Sequence, residues 1–151
     1  MLQLALMAML RQERRQILQN NHINNRDIFI FRWRISQVLC EAPRKWGGLT
    51  DVELLIRAYL LGYQNNELEQ DFLKGKPHNV YTAIIEEVMT DLVNRHIARK
   101  EEEKIPYGDR EMSRYTSGPA LNELGCRGVT RIGLGDPETY NRLFPVKIGT
   151  G

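Results

Sequence analysis

Cysteine is nearly missing from this sequence: Cys40 and Cys126 are the only two among 151 residues. That excludes a small disulfide-stapled scaffold, and two thiols without a secretory segment are expected to stay free in a reducing compartment. Long apolar runs are missing as well. The most apolar stretch, Met1–Leu10, falls well short of the roughly 20 residues that span a bilayer, and Arg11, Glu13, Arg14 and Arg15 come directly after it. It has neither a basic leader nor a small-residue cleavage pattern, so no signal peptide is expected. The chain is expected to be cytoplasmic, with no membrane partner.

Catalytic patterns are lacking too. His22, His78 and His96 are scattered, neither cysteine belongs to a C-x-x-C pair, and no H-x-x-x-H spacing or Walker phosphate loop occurs. Gly133-Leu134-Gly135 is a two-glycine fragment that opens no helix after a strand. Glu101, Glu102 and Glu103 read as solvated charge rather than as metal ligands. The sequence therefore predicts no enzyme, no metal site and no cofactor.

What is present is the composition of a globular domain: 42% hydrophobic and 26% charged residues, with a mean hydropathy of −0.45. The 21 Lys and Arg against 19 Asp and Glu leave only +2, too little for net charge alone to announce a polyanionic partner. Its distribution is uneven. Residues 1–46 hold eight basic and three acidic side chains, 47–93 three and eight, and 94–151 ten and eight, giving +5, −5 and +2. Such a layout can set basic surfaces beside an acidic face.

Leu2 to about Gln19 contains no Gly or Pro and brings Leu6, Met7, Leu10, Ile17 and Leu18 near one helical face. The polar link Asn20–Asn25 detaches this helix from the rest of the chain. Its apolar side must be covered, by its own domain or by a second subunit, and Leu6, Leu10 and Ile17 are the candidate homodimer contacts. A second helix is predicted after Asp27 as N-cap, through Ile28, Phe31, Ile35 and Leu39, ending at Pro43. A turn over Arg44–Gly48 leads to the capping box Thr50-Asp51-Val52-Glu53 and a third helix to about Leu61, with Leu55, Ile56, Tyr59 and Leu60. A short additional helix is predicted within Asn65–Lys74. Asn79 to about Arg95 carries the longest internal helical pattern, from Val80 and Ile84 to Leu92 and Val93. Two strands, Ile97–Lys104 and Glu111–Thr116, then flank the turn Pro106-Tyr107-Gly108-Asp109. A last short helix over Pro119–Leu124 is expected to stop at Gly125, leaving 126–151 as a Gly- and Pro-rich, flexible tail.

The order of these elements is that of a winged helix-turn-helix: mainly α, with a small β-hairpin wing and an extra N-terminal helix. Met89, Leu92, Arg95, His96, Ile97 and Arg99 resemble the end of the recognition helix and the start of the wing in PadR-like transcriptional regulators, where L-x-x-L-x-x-x-G-L-I is typical. Arg114-Tyr115-Thr116-Ser117-Gly118-Pro119-Ala120-Leu121 is similar to that family's returning wing strand and its closure into the next helix. His96 stands near the family's glycine, and histidine tolerates positive φ better than most side chains. The resemblance covers about residues 28–124. It implies a winged-helix domain over 26–125, a dimer that binds double-stranded promoter DNA, and, by likeness to one clock-linked member, a circadian gene as target.

DNA recognition by such a fold would begin at the N-terminus of the long helix, where free N–H groups favour phosphate and side chains reach base edges. Asn79 can pair with adenine, Thr82 can meet a thymine methyl, and Lys76, His78 and Tyr81 can reach phosphate. The same residues can instead cap the helix or pack inside. In the wing, Arg99, Lys100, Lys104, Arg110 and Arg114 are the candidate phosphate or minor-groove contacts, provided the neighbouring glutamates point elsewhere. An alternative keeps the fold as a protein-interaction module that docks through the acidic middle segment. Trp33 and Trp46 are read as core or interface aromatics, and Arg34 as part of a wet helix surface.

Overall fold

Periodicity and capping place most elements where the chain carries them. The computed structural model describes residues 2–41, 48–69, 72–107, 110–132 and 137–146, with side chains left aside at 2–10, 102–105, 107, 110, 111, 128 and 130–132. Helices α1 (Leu2–Asn20) and α2 (Asn25–Glu41) precede strand β1 (Leu49–Thr50) and helices α3 (Asp51–Gln64) and α4 (His78–Asn94). Strands β2 (Ala98–Tyr107) and β3 (Arg110–Ser117) then lead to α5 (Pro119–Ile132) and α6 (Pro137–Leu143). The protein is thus mainly helical with one small antiparallel sheet, in strand order β1-β3-β2. Among the described residues no helix is long and apolar enough to cross a membrane. Most of the turn expected at Arg44–Gly48, including Trp46, lies outside the described residues.

Local chemistry explains the helix starts. Thr50 caps α3, its hydroxyl accepting from the Glu53 N–H while Glu53 reaches back to the Thr50 N–H, so the capping box is real. At α2 the cap is Asn24 rather than Asp27. Asn24 Oδ1 accepts from the Asp27 N–H at 2.9 Å and Asp27 Oδ2 accepts from the Asn24 N–H at 3.1 Å, a reciprocal box one turn earlier than expected.

Three helices end on a left-handed residue that is not glycine: His22, Asn66 and His96, with φ of 61°, 57° and 61°. Each is followed by the bond that closes such an end: Ile23 N to Leu18 O at 2.9 Å, Glu67 N to Gly62 O at 2.9 Å, and Ile97 N to Leu92 O at 3.0 Å. His96 thus adopts the geometry the sequence asked of it. Gly118 matters for a different reason, because a Cβ there would lie 2.3 Å from the His96 carbonyl oxygen. Its N–H bonds the Ile97 carbonyl at 2.7 Å and sews the end of β3 to the start of β2.

The core is laid on α2, whose Phe31 and Ile35 are fully buried and which packs against α3, α4 and α5. Three expectations change here. No helix occupies the described part of 65–74, where α3 runs on to Gln64 and the chain then turns; Leu68 and Leu73 anchor the turns by burial, and Phe72 stacks between Phe31 and Tyr59. Strand β1, unforeseen because two residues show no period, pairs Leu49 with Tyr115 and Thr50 with Arg114. Gly125 (φ 79°, ψ 161°) stops the first helical stretch of α5, as expected, and a second stretch follows it. The described part of the supposed tail folds as the second stretch of α5 and as α6, with Tyr140 and Phe144 buried to 1% exposure. Those aromatics sit four apart, one helical turn, so they enter the core together. Trp33 is a core aromatic, as expected, its indole N–H donating to Val129 O at 3.3 Å. Arg34 is not wet: it is buried against Glu67.

Burial has a consequence at alkaline pH. Desolvation pushes the Tyr140 phenol above its ordinary range, with the Ser36 hydroxyl bond opposing it; desolvation also raises Tyr115, helped by the Asp51 charge. It pushes the Cys40 thiol up from 9.0 to about 12, with the neighbouring Cys126 thiol adding to the rise. A raised acid keeps its proton in the folded state while the unfolded chain releases it, so the native state binds more protons and stability falls with rising pH. The urea midpoint is expected to hold below the unfolded values, near pH 9, and to fall as pH climbs toward 12. Tyr140→Phe keeps the ring but not the proton, and should lose less over that window; an unaltered alkaline slope in this variant would contradict the assignment.

Candidate nucleic-acid interface

Helix α4 has a buried side and an open one. Val80, Ala83, Ile84, Ile85, Val88, Met89 and Leu92 are buried, whereas Asn79, Glu86, Thr90 and Asn94 are exposed and Thr82 is partly so. Spacings of three and four put Asn79, Thr82, Glu86, Thr90 and Asn94 along one face. Every side chain in that row can donate or accept a hydrogen bond. The backbone carbonyl of Pro77 (φ −61°, ψ 154°) receives the Val80 N–H at 3.0 Å, and no side chain caps the helix. Asn79 and Thr82 are therefore not caps. Thr82 Oγ1 bonds back to His78 O at a long 3.4 Å.

Two expected contacts are otherwise engaged. Tyr81 turns inward, half-buried against the core, its hydroxyl donating to Leu73 O at 2.7 Å. Its ring fills space between α4 and the loop before it, which removes it from the open face. Lys76 Nζ donates to Asn21 O at 3.0 Å and ties the link between α1 and α2 to the approach of α4. That spends one of its three N–H donors. His78 is exposed beside Asn79.

The hairpin supplies the second half of the site. Cross-strand partners share a face and successive residues alternate, so Lys100 with Tyr115 lies on one side and Arg99 with Thr116 on the other. The Lys100 side meets α4 across an open groove of about 390 Å³, whose walls include Glu86, Thr90, Asn94, Ser113 and Tyr115. Lys100 and Arg99 are both exposed, but only Lys100 lines this groove. Glu101, a feared source of phosphate repulsion, accepts from Thr116 Oγ1 at 2.9 Å and so belongs to the opposite side. Arg114 is half-buried where β3 pairs with β1. The backbone of Lys104 pairs with Ser113 beyond an irregularity in the ladder, and that of Arg110 with Tyr107 beside the tip; their side chains lie outside the described residues.

The groove is not uniformly basic. Asp51 enters it from the first turn of α3, and burial raises its carboxyl above the ordinary range while the Lys100 charge pulls the other way. Sequence reasoning stopped at the first turn of α4 and missed Glu86, Thr90 and Asn94; the recurrence of polar residues at 82, 86 and 90 between apolar ones was the available signal. It also missed that α3 leaves Val52, Ile56, Leu60 and Tyr63 between 38% and 53% exposed. Tyr63 stacks on Tyr59 at the end of this apolar row.

Helix α1 lies on α4 of its own chain. Arg14 grips Glu87 Oε2 through Nε at 3.1 Å and Nη2 at 2.9 Å, Leu18 is buried, and Ile17 packs against the core. Ile17 thus serves its own domain, because a short link folds the amphipathic helix back onto the nearest apolar surface. Leu6 and Leu10 belong to the α1 backbone, but their side chains lie outside the described residues. Compared with protein-family models, curated proteins and solved structures, the chain matches none.

Proposed function

We propose that this chain is a sequence-specific DNA-binding regulator of transcription, built as a winged helix-turn-helix in which α4 enters the major groove and the β2–β3 hairpin grips the backbone beside it. The observation that carries the reading is the row of hydrogen-bonding side chains on the open face of α4, with Lys100 across the groove from it. The run α2, β1, α3, α4, β2, β3 with sheet order β1-β3-β2 supports the same arrangement. Asn79 matches adenine, Glu86 can accept from a cytosine amino group, and Lys100 neutralises phosphate. A second copy would join through the charge-free residues 2–10 of α1, presenting two α4 helices to half-sites about 34–36 Å apart.

Selection of binding sites from a pool of random duplexes, followed by anisotropy titration at several salt concentrations, tests this. Affinity for the selected site is expected to fall steeply with salt. Asn79→Ala should weaken that site about 10- to 100-fold and relax preference at one base pair. Lys100→Glu should weaken all sequences alike and flatten the salt slope. A pool that yields no enriched site and no salt-dependent binding overturns the reading.

The exposed row Val52, Ile56, Leu60 and Tyr63 favours a second reading, a protein-interaction module that docks an apolar helix face. Under it Ile56→Asp abolishes complex formation and Asn79→Ala changes nothing.

A further inference from the structure

Away from the α4 groove, the structure holds a pair of thiols that no proposed contact uses. Cys40 lies at the end of α2 and Cys126 just past the bend of α5, 86 positions later in the sequence. Neither is in a disulfide; Cys126 is exposed and Cys40 half-buried. The helices bring them together by their faces. Trp33 and Cys40 are two turns apart on one side of α2, and Cys126 and Val129 one turn apart on one side of α5. The indole of Trp33 bonds the Val129 carbonyl at 3.3 Å, within the packing of α5 on α2. In that packing the Cys126 thiol comes within hydrogen-bonding reach of Cys40. The reversal at Gly125, with φ of 79°, sets where the second part of α5 begins.

We propose that Cys40 and Cys126 form a reversible intramolecular disulfide, an oxidation site that clamps α5 to α2 when the protein meets a small-molecule disulfide of the glutathione class. The exposed Cys126 reacts first. Its thiolate attacks one sulfur of the oxidant, an S–S bond breaks, and one small thiolate leaves and takes up the proton Cys126 gave up. Cys40 then loses its proton and attacks the Cys126 sulfur of the mixed disulfide, expelling the second small thiol. Two protein thiols are oxidised, one small disulfide is reduced, and two small thiols are released. Burial keeps the Cys40 thiol protonated, pushed up to about 12, so the second step is the slow one and quickens as pH rises. The crosslink closes a long loop that the unfolded chain must carry, so it stabilises the fold. This inference is independent of the DNA reading.

The test is incubation of the full chain with excess glutathione disulfide, followed by intact-mass analysis, peptide mapping without reductant and thermal unfolding. The expected product has lost two hydrogens, contains a peptide pair joining Cys40 to Cys126, and melts about 5 °C or more above the reduced protein. Dithiothreitol should restore the original mass and midpoint. Cys40→Ser should stop at one glutathione adduct, and Cys126→Ser should react far more slowly; neither should gain the thermal shift. Persistence of a wild-type adduct on Cys126 beside a free Cys40, or crosslinking between chains instead of within one, overturns the proposal.

Discussion

Replacing Glu67 by alanine is expected to lower the unfolding free energy by about 3–5 kcal/mol, enough to threaten a typical domain. Arg34 and Glu67 keep only 7% and 3% of their side-chain surface exposed. Arg34 Nε donates to Glu67 Oε2 at 2.5 Å, Nη2 donates to Oε1 of the same carboxylate, and Nη1 donates to Gln37 Oε1 at 2.6 Å. The guanidinium also covers the Trp33 ring, 4.0 Å from its centroid. Burial lowers the Arg34 pKa from its ordinary value, yet a guanidinium stays charged in a protein. Without Glu67, that charge remains in the core with its main partner gone. The pair itself need not be worth this much, because forming it cost the desolvation of two ions. Joint replacement, Arg34→Met with Glu67→Leu, should therefore recover most of the loss. Urea unfolding followed by circular dichroism reads both; a single Glu67→Ala variant within about 1 kcal/mol of the parent would show that water or a neighbour replaces the carboxylate.

Glu67 also shows why part of this fold was not legible in the sequence. Nothing about a glutamate between Asn66 and Leu68 marks it for the core, and its partner lies 33 positions earlier. The capping box at Thr50 was legible because all its members sit within four residues. Asn24 and Asp27 were ambiguous, since either can cap and only the backbone path decides which residue is which. On α3, Leu54, Leu55, Ile56, Leu60 and Leu61 leave no single apolar side, and the packing against α2 selects Leu54, Leu55 and Ala58 for the interior. Of the candidate interface, the start of α4 and the basic hairpin were visible as spacing and composition. Tyr81 was open between phosphate and the interior, because the Leu73 carbonyl that claims its hydroxyl belongs to a loop read as helix. Helix ends on His22 and Asn66 escaped for a similar reason: the stop signal sought was glycine, whereas the backbone accepted other residues at positive φ.

Tyr140→Ala is expected to cost about 3–5 kcal/mol, a result that a flexible tail would not give. The ring is almost wholly buried, meets Phe29 edge-on at 5.4 Å and Phe144 at 5.3 Å, and its hydroxyl lies 3.3 Å from Ser36 Oγ. Arg95 extends the loss beyond one cavity. Its Nη1 donates to Phe144 O at 2.7 Å and its Nε to Asp91 Oδ2 at 2.7 Å, while Arg32 approaches the same carboxylate at 3.3 Å. The guanidinium carbon also sits 5.7 Å from the Tyr140 ring centroid. Removal of the ring thus loosens α6 and exposes one side of a charge cluster shared by α2 and the end of α4. Leu143→Ala supplies the control: that side chain is 42% exposed, and its loss should stay within about 0.5 kcal/mol. Equal, small effects of the two substitutions would mean that α6 does not hold its place in solution. A large gap between them makes the C-terminal helix part of the core that holds α4 in position, with its open face still turned to solvent.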